Sequence, residues 1–145
     1  MVSTTPGLTI SKIPVYASVH VNMFKNLFGV EFDFTPKSLS LLDTLIGAGW
    51  PDRNEKYVDY LTLLFGSYLG ETIRKEHGGH WTFNDESGFF IRGIGSCGFK
   101  AYPFSKIRKR ILNGKDESLA TYYISLKGLI EADKKILNNS ARKIS

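Results

Sequence analysis

The chain has 145 residues, enough for one domain with a substantial core. Its 42% apolar and 23% charged content excludes a disordered chain, and no apolar run is long enough to span a bilayer. The single cysteine, Cys97, excludes an intrachain disulfide and a cysteine metal cage, while the formal charge of +5 leaves acidic partners open.

Residues 1–14 read as a poorly ordered entry interrupted by Pro6, Gly7 and Pro14. They lack the basic and apolar regions of a signal peptide, so with one cysteine the expected compartment is the cytoplasm. From Val15 to Phe28, the positions Val19, Met23, Phe24, Leu27 and Phe28 fit one helical face, and Gly29 supplies the stop. Val30, Phe32 and Phe34 alternate with Glu31 and Asp33, which predicts a short extended segment. Thr35-Pro36 opens a second helix carrying Leu39, Leu42, Leu45 and Ile46. It ends near Gly47–Gly49, before a Trp50-Pro51-Asp52 turn.

The third helix is expected from about Asn54 to His77 and is apolar around much of its circumference, which marks it as central. Gly66 and Gly70 each weaken an exposed helix by about 1 kcal/mol relative to Ala, so their expected use is to let another element approach closely. Three short strands follow: His80 to Asn84, Phe89 to Ile94 and Phe99 to Tyr102. The loops between them contain glycine and are hairpin-sized. Pro103 opens a helix with Phe104, Ile107 and Ile111 inward and Lys106, Arg108, Lys109 and Arg110 mostly outward. Asp116 is expected to cap a last helix built on Leu119, Tyr122, Tyr123, Leu126, Leu129, Ile130, Ile136 and Leu137, fraying from Asn138, with residues 139–145 poorly ordered. With its strands grouped, this order predicts a single α+β domain, helices packed on a three-stranded antiparallel meander sheet.

The candidate site is the end of the third helix. Tyr57, Leu61, Leu64 and Tyr68 form a helical stripe, and Glu71 takes its next position. A half-buried acid needs a partner, and Arg74 or Lys75 lies within one turn. The first expectation for Glu71 is a buried polar anchor at the start of the sheet, ahead of acid/base catalysis. His77 and His80 flank Gly78-Gly79, which breaks the helix that a two-histidine zinc site requires, so no metal site is expected. His77 suits a helix C-terminus, and His80 leads into the strand holding Trp81. Asp33, Asp43, Asp85 and Glu86 read as isolated acids. Cys97 has no evident His/Asp pair, and Gly93-Ile94-Gly95 with Gly98 is no dinucleotide fingerprint. No catalytic residue and no cofactor are assigned.

The positive charge is uneven. Residues 1–105 carry nine basic and ten acidic side chains; residues 106–145 carry ten and four. Lys106, Arg108, Lys109 and Arg110 form the densest cluster and could contact phosphates, though a solvated helix face is the simpler reading.

Three separated segments resemble a known pattern. Val30–Leu39 with Asp43 is similar to an LDYSPESL…LD segment, with Phe32 and Phe34 where Leu and Tyr are usual. Gly66-Ser67-Tyr68-Leu69-Gly70-Glu71-Thr72-Ile73, with Gly79 and Trp81, resembles GAYLGEVI…GxW. Tyr102–Arg110, Asn113-Gly114 and Asp116–Leu119 are similar to PFSKVxKRxENGxxDSL. These segments occur together in a family of small bacterial proteins of unknown function, some encoded near toxin–immunity loci. The resemblance spans about residues 24–125. It implies a bacterial or phage protein and no established activity. The leading expectation is a non-enzymatic protein-interaction module, possessing one protein partner and acting as an immunity or regulatory protein. A nucleic-acid-associated protein using the basic last 40 residues comes second, and an enzyme using Glu71 third.

Overall fold

The computed structural model describes residues 7–48, 54–95 and 98–144, with side chains through 139. The expected Trp50-Pro51-Asp52 turn, Cys97 and the first six residues lie outside that range. Five α-helices and three strands follow in the order α1 (Ile13–Phe28), α2 (Pro36–Gly47), α3 (Glu55–His77), β1 (His80–Asn84), β2 (Gly88–Ile94), β3 (Phe99–Ala101), α4 (Pro103–Asn113) and α5 (Leu119–Ile144). The strands form one antiparallel sheet in the order β1-β2-β3, with Trp81 opposite Ile91 and Ile91 opposite Ala101. The fold is therefore α+β.

α3 is the central helix. Asn54 caps it through its side chain, which accepts from Tyr57 N at 2.9 Å. Every residue from Leu61 to Ile73 is buried, so packing rather than propensity holds this helix. α1 lies along one side and α4 along another. The two glycines let α4 and β1 approach closely. A Cβ on Gly66 would enter the Phe104 ring, and one on Gly70 would enter the Trp81 indole.

Gly70→Ala therefore sets a helix-propensity gain of about 1 kcal/mol against an overpacking cost of about 1–3 kcal/mol. Trp81 is buried and hydrogen-bonded, so it has little room to yield, and a net loss of stability is expected. Gly128 on α5 faces open space, and Gly128→Ala should stabilise by up to about 1 kcal/mol. Paired urea titrations check both signs. A stabilised Gly70→Ala protein would show that the close approach is not needed.

Four sequence expectations change. α1 begins at Ile13, after a 3-10 turn at Ile10–Lys12, with Pro14 in its first turn. Its inward residues are Ile13, Ala17, His20 and Phe24, whereas Val19, Leu27 and Phe28 are exposed. Val30–Phe34 joins no strand: it crosses beneath α3 as irregular chain, burying Phe32. α5 is capped by Ser118, whose hydroxyl accepts from Thr121 N at 3.2 Å, because Asp116 sits in a separate 3-10 turn, Lys115–Glu117. α5 as a whole runs to Ile144.

Candidate functional site

Glu71 is 7% exposed at the end of α3. Its Oε2 accepts from Arg74 Nη1 at 2.7 Å and from Trp81 Nε1 at 3.1 Å. Arg74 Nε also donates to the Gly79 carbonyl at 3.2 Å. One carboxylate thus ties the last turns of α3 to the turn and the first strand. A buried acid is tolerable because it is paired and hydrogen-bonded together. Lys75, the other cation within reach in sequence, lies over the Phe34 ring at 4.8 Å.

Phe34 is strained. Its φ of 60° is the only positive value for a non-glycine among the described residues. Its N–H donates to Tyr68 Oη at 2.8 Å, and its ring stacks on Tyr68. Tyr68 Oη also shares a 2.6 Å hydrogen bond with Ser38 Oγ. Burial is the main cause that pushes the Tyr68 hydroxyl above its usual range. This cluster seats the irregular 29–35 segment against α3.

The two histidines diverge. His77 Nε2 lies 2.8 Å from Tyr123 Oη, linking the end of α3 to α5, and desolvation lowers its pKa. Burial, with Glu76 and Glu131 nearby, pushes Tyr123 up to about 12. His80 is exposed on β1 opposite Arg92.

The basic cluster on α4 is largely neutralised by the chain's own acids. Lys106 pairs with Glu117 at 2.6 Å, and Arg108 pairs with Asp59 at 2.7 Å and Glu55 at 3.6 Å. Arg110, expected on the outward side, is 5% exposed and meets Asp43 at 3.1 Å. Its inward position follows from lying one turn from Ile107 on the side packed toward α2. Lys109 alone of the four is fully on the surface.

Asp43, read from sequence as an isolated acid, is the busiest side chain described. Oδ1 accepts from Arg110 Nε and from Leu119 N at 2.9 Å. Oδ2 accepts from Ser118 Oγ and Ala120 N, each at 3.0 Å. Arg110 Nη2 adds a bond to the Asp43 carbonyl at 3.0 Å. The carboxylate thus sits on the positive N-terminus of α5 and joins α2, α4 and α5. The signal was present in the sequence: Asp43 follows Leu39 and Leu42 and precedes Ile46 on the buried face of α2.

Two open clefts are described. One of about 530 Å³ is lined by Asp43, Thr44, Gly47, Ala48, Arg110, Lys115 and Ser118. The other, about 490 Å³, lies along Glu31, Asp33, Thr35, Lys37, Ser38, Ser40, Leu41 and Thr44. Neither reaches Glu71. Among the described residues no group of three His, Cys, Asp or Glu side chains could hold a metal ion. No helix among them is long and apolar enough to cross a membrane.

The remaining candidate is a surface. The inward stripe of α5 runs Leu119, Tyr123, Leu126 and Ile130, all buried. Two turns on, past Asp133 and Lys134, the same side carries Leu137 with Ile136 beside it, yet these are 56% and 63% exposed. The helix outruns the body that covers its first half. Over its full length α5 bears five basic residues (Lys127, Lys134, Lys135, Arg142 and Lys143) against Glu131 and Asp133. Compared with protein-family models, curated proteins and solved structures, the chain matches none.

Proposed function

We propose that this protein is a non-enzymatic protein-interaction module whose second half of α5 docks an acidic protein partner. The observation that carries this reading is the return of α5's core-facing stripe at exposed Leu137, flanked by exposed Ile136. Apolar side chains on a core stripe with no core over them are what a partner surface covers, and the surrounding lysines select an acidic rim. The buried, doubly bonded Glu71 supports an anchoring role over acid/base chemistry. The internal pairing of Lys106, Arg108 and Arg110 leaves little of the α4 cluster for phosphates, which weighs against the nucleic-acid reading. Resemblance to bacterial families found near toxin–immunity loci fits an immunity or regulatory protein acting in the cytoplasm.

Native host lysate provides the test. Wild-type protein should recover one stoichiometric acidic protein, Leu137→Asp should lose it, and Lys109→Ala should retain it. Because Leu137 is exposed, its replacement leaves folding intact, which circular dichroism checks. Equal recovery by wild type and Leu137→Asp, or recovery of nucleic acid alone, would falsify the reading.

A further inference from the structure

The cleft between α2 and the α4–α5 junction contains a buried cation whose hydrogen-bonding capacity is only partly used. A guanidinium carries five N–H donors in a planar fork. Arg110 turns its lateral edge to Asp43: Nε donates to Oδ1 at 3.1 Å and Nη2 to the backbone carbonyl at 3.0 Å. The end-on edge, one N–H each from Nη1 and Nη2, meets no acceptor among the described residues. Nη1 is not sealed from solvent either. Since Arg110 is only 5% exposed, the space this edge reaches is the cleft that Arg110 lines.

Two neighbours on the same cleft favour an anion there. Gly47 ends α2, and a Cβ at this position would lie 3.3 Å from Arg110 Nη2. Its φ is not positive, so no turn demands glycine; the missing side chain leaves the guanidinium uncovered. Lys115, on the 3-10 turn before α5, is exposed and pairs with no acid among the described residues. The acid in the described lining is Asp43, whose oxygens already take four donors, two of them backbone amides of α5.

We infer that this cleft binds the oxyanion of a small ligand, a carboxylate or phosphate group. Two of its oxygens take the end-on fork of Arg110, and Lys115 shares its charge. This inference stands apart from the α5 reading. The parallel N–H pair of a guanidinium matches two oxygens of either group, which a lysine alone does not. Asp43 is the positioning residue: it holds the fork in place before any ligand arrives, so little side-chain freedom is lost on binding. The cleft volume of about 530 Å³ falls within the ~300–1,000 Å³ of ligand sites and leaves room for a body behind the anionic group.

Titration of the ¹⁵N-labelled full chain with sodium phosphate and, separately, sodium acetate tests this, with ionic strength held constant by sodium chloride. At least one anion should shift the amides of residues 44–48 and 115–118 saturably, with a millimolar dissociation constant befitting a bare headgroup. Saturation by acetate alone assigns a carboxylate ligand, and by phosphate alone a phosphate ester. Lys115→Glu, an exposed change that leaves the fold intact, should weaken binding by roughly tenfold, because attraction becomes repulsion. Gly47→Ala suits the helix and should still weaken binding by roughly threefold or more, by crowding Nη2. Lys109→Ala should leave binding unchanged. Failure of both anions to saturate these amides overturns the inference. So does binding indifferent to Lys115→Glu or Gly47→Ala, binding lost through Lys109→Ala, or shifts centred on the lysines of α5.

Discussion

Asp43→Ala should lower folding stability by about 3–5 kcal/mol, the loss expected when one partner of a buried ion pair is removed. The carboxylate accepts from two backbone amides, one hydroxyl and one guanidinium. Its removal leaves Arg110, 5% exposed, without its counter-charge and leaves the first amides of α5 without an acceptor. Asparagine keeps one acceptor oxygen but no charge, so Asp43→Asn should fall between alanine and wild type. Glu55→Ala supplies the contrast: its 3.6 Å pair with Arg108 is mostly exposed, and the change should stay within about 1 kcal/mol. Urea titrations with unchanged slope read all three. An Asp43→Ala protein as stable as Glu55→Ala would mean that the α2–α5 junction does not depend on this carboxylate.

The second large effect is acid sensitivity centred on His20. This ring is fully buried among Phe24, Phe32, Phe65 and Tyr68, with ring centroids 4.5–5.3 Å away, and neither ring nitrogen has a hydrogen-bond partner. Burial lowers its pKa from 6.5 to about 3. The sign follows from linkage. Below pH 6.5 the unfolded chain takes up a proton that the folded chain refuses, so stability falls as pH drops toward the folded value. The slope approaches about 1.4 kcal/mol per pH unit. His20→Phe removes this dependence, whatever constant offset the larger ring adds. Stability measured from pH 7 to pH 4.5 should fall more steeply for wild type than for His20→Phe, their difference growing by about 2 kcal/mol. Parallel curves would show that His20 ionises as readily in the folded protein as in the unfolded one.

The three strands and the long helices were legible because short-range chemistry sets them: Gly78-Gly79 ends α3, and Pro103 opens α4. Glu71 was legible as an anchor because it interrupts an apolar stripe. The same logic applied to Asp43, one turn after Leu39, but its five donors come from residues 110–120, which no local pattern connects to α2. α1 carries two apolar stripes, and periodicity alone favoured the one with larger side chains. The core took the other, because Ala17 and the neutral ring of His20 allow α1 to sit against Phe65 and Tyr68 of α3. Arg110 likewise looked solvated because helical spacing does not reveal the acid waiting across the interface.

Amide hydrogen exchange along α5, compared between free protein and the complex recovered from host lysate, tests the docking surface most directly. The amides of residues 131–139 should exchange more slowly in the complex, while those of α4 remain unchanged. Protection confined to α4, or none along the second half of α5, would contradict the account.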